Sequence, residues 1–322
     1  RASAIAAEMV RSVARAAAVR LLFMRIMYGI RSWRQGVYLG FMRILDSRVR
    51  EGVGEGVGGR IGGVGAMDRL GVRPDNRLPR CGRGCCMKLS MVGTGYVGLV
   101  TGVCLANTGN DVACLDVDER KIGTLRRGES PIYEPGLVEL LEKNIKSKRL
   151  TFTTDVAEAH REAEMIFICV GTPSDERGHT DMRYVHAAAD AIAEVLKGLG
   201  PKQAPKTIVV KSTVPVGTTH AVGERIRAKV GPEIPFAMAN NPEFLKEGDA
   251  IRDFQYPDRV VCGVEAAFSR KQFEAVYEPF LRTGKPLICV DIRSSEMVKY
   301  AANNFLATKI SFINEMANLC EA

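Results

Sequence analysis

The sequence predicts an α/β protein with a doubly wound parallel sheet, followed by a long helix. Short, continuously apolar runs alternate with helical patterns from residue 88 onward, as in parallel sheets whose strands are buried on both faces. A G-x-G-x-x-G turn stands directly after the first of these runs. From Ile292 the pattern is helical for about thirty residues, which is longer than a typical helix of a globular domain.

The first strand, turn and helix have the arrangement of a dinucleotide-binding unit. The apolar run 89–92 is followed by Gly93, which allows a sharp turn, and by Gly95, which lets a pyrophosphate approach the backbone. Gly98 then allows the helix to lie close to the strand, and the free N–H groups of its first turn face the phosphates. A second apolar run ends in Asp116, whose carboxylate can accept the ribose hydroxyls.

The remaining elements follow from the same two patterns. Strands are predicted at Leu150–Thr153, Met165–Val170, Thr207–Lys211, Phe236–Ala239, Val260–Gly263 and Leu287–Val290. Helices are predicted to end at Arg127 and to span Leu137–Lys146, Asp181–Leu196 and Ala267–Leu281. Thr154 or Asp155 is expected to cap a short turn between two of these elements.

Polar residues follow several predicted strands, at the sheet edge where ligands bind in doubly wound folds. Thr172 follows one central strand, and the stretch 240–248 after another contains two glutamates and a lysine. Lys299 and Asn303 are four residues apart on the last helix, so they share a face, where a cation and an amide can stabilise an oxyanion. Lys121 is either a contact to the adenosine side of a cofactor or a solvated helix lysine.

Composition divides the chain at Met87. Residues 1–86 contain 16 arginines, no lysine and 6 acidic residues, whereas the remainder is nearly neutral, with 29 basic and 31 acidic residues. The neutral part gives no reason to expect a nucleic acid partner. In the basic part, residues 16–30 could form a membrane-surface helix or belong to a transit peptide, but arginines interrupt the apolar run before it reaches membrane length. We favour a translated upstream segment that is disordered or poorly packed.

The nine cysteines predict neither a metal site nor a disulfide framework. No C-x-x-C pair or Cys/His ladder is present, and several cysteines lie inside apolar runs, as small buried thiols do. This pattern fits the reducing cytoplasm, and no membrane association is expected.

Six motifs together resemble the UDP-glucose/GDP-mannose dehydrogenase family, and the resemblance extends from Met87 to the end of the chain. They are GTGYVGL (93–99), SPIYEPGL (130–137), VGTP (170–173), KSTVPVGT (211–218), NPEFLKEG (241–248) and SEMVKYAANNFLATKISFINE (295–315). The resemblance implies a Rossmann-like domain at 87–290, then the start of a central dimerisation domain at 291–322. It implies a homodimer built through the helix that starts near Ile292.

The resemblance also implies NAD-dependent oxidation of UDP-glucose at C6 to UDP-glucuronate, by two successive hydride transfers. The implied cofactor contacts are Gly93, Gly95, Tyr96, Val97, Gly98, Asp116, Lys121, Thr172, Thr213 and Glu247. The implied contacts to the nucleotide sugar are Glu243, Phe244, Leu245, Lys246, Glu247, Lys299 and Asn303. The implied catalytic residues are Thr213 near a water, Glu243 as the base in thioester hydrolysis, and Lys299 with Asn303 facing the reacting oxygen.

One departure from the family pattern limits this interpretation. The family nucleophile is a cysteine in a G-x-C-F-P-K-D loop, and that loop does not occur in these 322 residues. We therefore expect a chain that stops before the nucleophile and the C-terminal UDP-binding domain, and that is inactive by itself. A GDP-mannose or UDP-N-acetylhexosamine dehydrogenase of the same family, or a non-catalytic NAD-binding and dimerising module, are the alternatives.

Overall fold

The structure is a computed structural model that describes residues 86–282 and 284–321. The predicted leader therefore lies outside the described residues, except for Cys86, and so does the candidate surface helix at 16–30. Within the described ranges, no helix is both long enough and apolar enough to cross a membrane.

The described part of the chain contains one eight-stranded sheet, which confirms the predicted fold class. Its strands are β1 (Lys88–Val92), β2 (Asp111–Leu115), β3 (Leu150–Thr153), β4 (Met165–Ile168), β5 (Lys206–Val210), β6 (Phe236–Asn240), β7 (Val260–Val264) and β8 (Leu287–Val290). They are arranged in the order β3-β2-β1-β4-β5-β6-β7-β8. The order reverses on either side of β1 and β4, which places a crevice at the carboxyl ends of these two strands.

The sheet is parallel except at one pairing, which the sequence analysis did not anticipate. β6 and β7 run antiparallel, with Ala239 opposite Val264 and Asn240 opposite Gly263. The reason is that the chain between them contains only a six-residue helix and does not cross a face of the sheet. Because a parallel pair needs such a crossover, β7 starts at the edge where β6 ends and runs back.

Nine helices surround the sheet in the described part. They are α1 (Tyr96–Asn107), α2 (Glu119–Arg126), α3 (Leu137–Lys146), α4 (Val156–His160), α5 (Arg183–Leu199), α6 (Thr218–Val230), α7 (Ala250–Gln255), α8 (Ala267–Leu281) and α9 (Ile292–Glu321). The predicted short turn is the helix α4, whose N-terminal N–H groups donate to the Asp155 carboxylate. Helices α6 and α7 were not predicted, because short amphipathic patterns between glycines and prolines resemble loops.

Two apolar layers cover the two faces of the sheet. Because side chains alternate along a strand, Met91 and Phe167 point into one layer, with α1, α3 and α8, while Val92 and Ile168 point into the other, with α5 and α6. All four side chains are buried. Burial on both faces explains why the strands are continuous apolar runs in the sequence.

The turn after β1 is held by two glycines that leave no room for a side chain. Gly93 has φ +97°, a conformation that favours glycine. At Gly98 in α1, an added Cβ would lie 1.9 Å from the carbonyl oxygen of Gly93 and 3.0 Å from the Cβ of Cys169. The contact brings the first turn of α1 against the ends of β1 and β4.

We predict that Gly98→Ala destabilises the domain by about 2 kcal/mol or more, because the new methyl group would collide with backbone. The direction of the change in unfolding free energy is informative, since Ala in place of Gly inside a helix otherwise stabilises a protein by roughly 1 kcal/mol. Urea unfolding would measure the free energy change. The matched control is Gly95→Ala, where an added Cβ meets nothing within 4 Å, and we expect a loss of no more than about 1 kcal/mol, because alanine is a poorer N-cap than glycine. A Gly98→Ala variant as stable as the parent would contradict this account.

Candidate functional site

The N-terminus of α1 is prepared for an anion. Gly95 is its N-cap and supplies no side-chain hydrogen bond, and the first turn contains no acidic residue. The N–H groups of the first turn therefore lack a side-chain acceptor from the cap, and the helix dipole is positive at this end. The space beside Gly95 is open, and Tyr96 and Val97 are half-buried next to it. This geometry suits a pyrophosphate.

Asp116 lies at the end of β2, beside the glycine turn. Its Oδ2 accepts hydrogen bonds from Thr94 N at 2.8 Å, from Thr94 Oγ1 at 2.6 Å and from Lys121 Nζ at 3.0 Å. Burial alone would raise the pKa of Asp116, but the hydrogen bonds from Thr94 and Lys121 outweigh burial and lower the pKa. The carboxylate is therefore ionised, and Oδ1, which accepts from Asp118 N at 3.1 Å, faces less competition for a ribose hydroxyl.

Lys121 is not simply a solvated helix lysine, because its side chain pairs with Asp116. Its ammonium forms an ion pair with Asp116 at 3.0 Å and is only partly exposed. Lys121 therefore lies beside Asp116, after the end of β2, and offsets part of the charge of that carboxylate.

Two threonines join the ends of β4 and β5 in the crevice. The hydroxyl of Thr172 donates to the carbonyl oxygen of Thr213 at 2.9 Å, and both residues are half-buried. Ser212 adds a second link between the same two loops, since its hydroxyl donates to Val170 O at 2.6 Å. The strand order places these loops next to the glycine turn, because β4 pairs with β1.

The predicted substrate residues meet in an ion pair between distant parts of the chain. Lys299 Nζ on α9 lies 2.7 Å from Glu243 Oε1 in the loop after β6, and both side chains are mostly buried. Glu243 Oε2 accepts a hydrogen bond from Leu245 N at 2.8 Å, and the ammonium lies 5.6 Å from the ring centre of Phe244. Each charge is thus balanced by the other. The loop lines a cavity of about 140 Å³.

Three of the predicted residues remain on the solvent side of this pair. Asn303 shares a helix face with Lys299, as expected, but it is exposed. Lys246 and Glu247 are also exposed, and Lys246 N donates to Asp253 Oδ2 at 3.0 Å. The three side chains are therefore solvent-exposed, and only Lys246 among them lines the cavity.

The start of α9 is fixed by polar contacts, which brings Lys299 to Glu243. Glu296 accepts hydrogen bonds from Gly217 N at 2.6 Å and Thr219 N at 2.8 Å, and Ser295 Oγ donates to Asn240 Oδ1 at 2.7 Å. A Cβ on Gly263 would lie 2.7 Å from the Cβ of Ser295, so β7 and α9 are in close contact. None of these positioning residues was identified from the sequence.

A buried lysine beneath the cavity was also missed. Lys211 is 4% exposed and donates to Asn241 Oδ1 at 3.0 Å, and Tyr277 Oη donates to the same oxygen at 2.6 Å. Burial lowers the pKa of Lys211 to about 8, although the nearby Glu243 carboxylate opposes this change. A lysine at the end of a continuous apolar strand, directly before a polar loop, was the signal available in the sequence.

Comparison with known proteins identifies the family of this chain. The model of the UDP-glucose/GDP-mannose dehydrogenase family, NAD binding domain, matches residues 87–281, and the model of the central domain of that family matches residues 293–322. The UDP-glucose 6-dehydrogenase of Rhizobium meliloti (strain 1021) is 49% identical over 238 residues, which cover 73% of this chain and 53% of that protein.

Solved structures agree with this assignment. A UDP-glucose dehydrogenase from Pyrobaculum islandicum aligns with a TM-score of 0.69 and 41% identity, covering 74% of this chain and 54% of that one. A GDP-mannose dehydrogenase from Pseudomonas aeruginosa aligns with a TM-score of 0.67 and 36% identity, covering 71% and 52%. The chain spans about half the length of the curated relatives it matches. The chain therefore belongs to the UDP-glucose/GDP-mannose dehydrogenase family, and residues 87–281 match the NAD-binding domain of that family.

Proposed function

We propose that this chain is the cofactor-binding half of an enzyme that oxidises UDP-glucose at C6 to UDP-glucuronate. The observation that carries the proposal is the Glu243–Lys299 ion pair, which lies at the sheet edge that also holds the glycine turn. UDP-glucose is favoured over GDP-mannose because the relative named for UDP-glucose is 49% identical, whereas the GDP-mannose enzyme of known structure is 36% identical.

The cofactor is NAD, and we propose that the crevice at the ends of β1, β2, β4 and β5 holds it. Gly93, Gly95, Tyr96, Val97 and Gly98 present backbone to the pyrophosphate, while Asp116 accepts the ribose hydroxyls with Lys121 beside it. Thr172, Thr213 and Glu247 complete the proposed contacts toward the nicotinamide. When bound, NAD accepts the hydride that leaves the substrate carbon.

The Glu243–Lys299 pair has the functional groups that oxidation of an alcohol needs. Loss of a hydride and a proton from the C6 alcohol leaves an oxygen whose developing charge must be stabilised. We propose that Lys299 and Asn303 face this oxygen, and that the loop Glu243–Glu247 holds the sugar nucleotide. Glu243 then acts as the base that takes a proton from water, with Thr213 positioning that water, when the second oxidation product is hydrolysed from a thioester.

The described cysteines are poorly placed to form that thioester. Cys262 and Cys289 occupy neighbouring strands, with their sulfur atoms 3.3 Å apart, and burial raises the pKa of Cys262. Because side chains alternate along β7, Cys262 points to the face opposite Gly263, which contacts α9. Burial likewise raises the pKa of Cys169, beneath the glycine turn, to about 12. The free thiols of the described part fit a cytoplasmic location, which we also propose.

We propose that α9 is the start of a dimerisation domain that follows the NAD-binding domain at 87–290. Its first turns dock on the sheet, whereas most of its later apolar side chains are exposed. The exposed apolar residues on α9 are Met297, Phe305, Leu306, Ile310, Phe312, Ile313, Met316 and Leu319. Such a large exposed apolar surface is typical of an interface.

The first prediction concerns cofactor choice. NAD⁺ should bind at least ~10-fold more tightly than NADP⁺, because a 2′-phosphate would lie against the Asp116 carboxylate. Asp116→Asn, which removes the charge but keeps the shape, should reduce this preference to roughly threefold or less. Titration by calorimetry would measure both affinities, and Glu129→Gln, at an exposed carboxylate, is the charge-matched control. Tighter binding of NADP⁺ than of NAD⁺ would overturn the role of Asp116.

The second prediction concerns turnover of the 322-residue chain. Incubation with NAD⁺ and UDP-glucose should give no sustained NADH absorbance, although calorimetry on the same sample should detect bound NAD⁺. The reason is that the second oxidation needs a thiohemiacetal on a nucleophilic cysteine, and the G-x-C-F-P-K-D loop does not occur in these 322 residues. Production of two NADH per sugar would contradict this, and separate serine substitutions of Cys262, Cys289 and Cys320 would then identify the nucleophile.

The third prediction concerns self-association. Light scattering should report a dimer, because the apolar residues of α9 are covered in a pair of chains. Ile313→Glu, at a side chain that is 55% exposed, should shift the protein to monomer. Asn314→Glu adds the same charge at the next exposed position and should leave the dimer intact. A monomer at high concentration for the parent chain would count against the proposed interface.

A further inference from the structure

Three segments that are far apart in the chain meet at one carboxylate. Glu134, in the loop before α3, is 5% exposed and lies between the glycine turn and the end of the loop Glu243–Glu247. Its Oε2 accepts hydrogen bonds from Tyr96 Oη and from Gly248 N at 2.9 Å, and its Oε1 accepts from Ala250 N at 2.7 Å. We call this set of contacts the Glu134 junction.

The charge at the centre of the junction is stabilised by its donors. Burial alone would raise the pKa of Glu134, but the hydrogen bonds from Tyr96 and from the backbone N–H groups of Gly248, Ala250 and Ile251 outweigh burial and lower the pKa. Hydrogen bonds to an ionised acceptor are about twice as strong as neutral ones. The hydrogen bonds of the Glu134 junction are therefore strong while all of its donors are in place, and loss of one donor weakens the junction.

Tyr96 connects this junction to the proposed phosphate site. It is the first residue of α1, directly after Gly95, so its backbone is part of the turn that receives the pyrophosphate. Its hydroxyl accepts a hydrogen bond from Gly248 N at 3.1 Å and lies 3.2 Å from Lys246 O, a second possible acceptor for its single proton. The Tyr96 side chain thus extends from the glycine turn to the end of the loop Glu243–Glu247.

The loop Glu243–Gly248 forms few other contacts near Gly248. Its first half is fixed by the pair between Glu243 and Lys299. Its second half is an exposed turn, in which Asp249 N donates to Lys246 O at 3.1 Å and Gly248 has φ +87°. The position of Glu247, which we propose to be a ligand contact, is therefore set on one side by the hydrogen bond from Lys246 N to Asp253 and on the other by Tyr96 and Glu134.

We propose that Tyr96 and Glu134 are positioning residues that couple occupation of the cofactor crevice to order in the loop Glu243–Gly248. An anion on the first turn of α1 holds Tyr96 in the orientation in which its hydroxyl reaches Glu134, and the junction then closes on Gly248 and Ala250. A ligand can shift order elsewhere only if it interacts differently with the ordered and disordered states, and Tyr96 supplies that difference. The inference rests on the proposed assignment of this loop to the nucleotide sugar.

A purely structural role for the junction makes a different prediction. If Glu134 only caps the start of α7, the loop is equally protected with and without cofactor. Hydrogen–deuterium exchange of the backbone N–H groups of residues 244–252 separates the two cases, because it reports local opening of this segment directly. The measurement needs neither turnover nor a sugar nucleotide, so failure of the substrate assignment and failure of the coupling are distinguishable.

The test compares the parent chain with Tyr96→Phe, which removes one hydroxyl and leaves the carboxylate and the glycine turn unchanged. Each protein is measured without ligand and at an NAD⁺ concentration that saturates it, as determined by calorimetry. NAD⁺ should slow exchange at 248–251 roughly fivefold or more in the parent chain and less than about twofold in Tyr96→Phe. Tyr133→Phe is the matched control, because Tyr133 is the neighbour of Glu134 but is 89% exposed, and it should behave as the parent does.

A second variant keeps the proposal testable if Tyr96→Phe is poorly folded. Glu134→Gln keeps the size of the side chain but places an amide donor against one of the N–H donors, so it should also abolish the effect of NAD⁺. NAD⁺-dependent protection that persists in both variants overturns the proposal, as does bound NAD⁺ that gives no protection in the parent chain. A parent chain that binds no NAD⁺ would overturn the cofactor site and the coupling together.

Discussion

The contact between Gly98 and the backbone of Gly93 is the constraint on which the site depends. An added Cβ would lie 1.9 Å from that carbonyl oxygen, so only glycine allows α1 to approach the ends of β1 and β4 this closely. The approach places the uncapped N-terminus of α1 at the crevice, with Asp116 beside it. It also directs Tyr96 toward Glu134. The absence of a side chain at Gly98 thus sets the geometry of the proposed phosphate site and of the contacts between Tyr96 and the loop Glu243–Glu247.

Opposite charges in the candidate site are paired with one another. Asp116 pairs with Lys121, and Glu243 pairs with Lys299, in both cases with the carboxylate largely buried. Pairing reduces the desolvation cost of holding these groups at the sheet edge. Lys211 differs, because its hydrogen bonds go to Asn241, a neutral residue, and burial lowers its pKa to about 8.

The helix α9 joins the candidate site to the proposed dimer interface. Its first two turns are anchored by Ser295 and Glu296, and this anchoring is what brings Lys299 into the site. Beyond Lys299 its side chains are mostly exposed, including Asn303 and the apolar residues after it. Docking of this helix against a second chain would therefore act on the same rigid element that carries the lysine. In the proposed dimer, the interface and the geometry of the site would therefore share one helix.

The sequence by itself determined the features that depend on neighbouring residues. The glycine turn, the apolar strands and the shared face of Lys299 and Asn303 follow from local spacing, since backbone geometry repeats every two or 3.6 residues. Tertiary structure alone decided the reversal of β7, the burial of Lys211 and the pairing of Lys299 with Glu243, 56 residues away. The physical reason is that pairing and burial depend on which strands become neighbours and in which direction they run, and neither is encoded within any one stretch of chain.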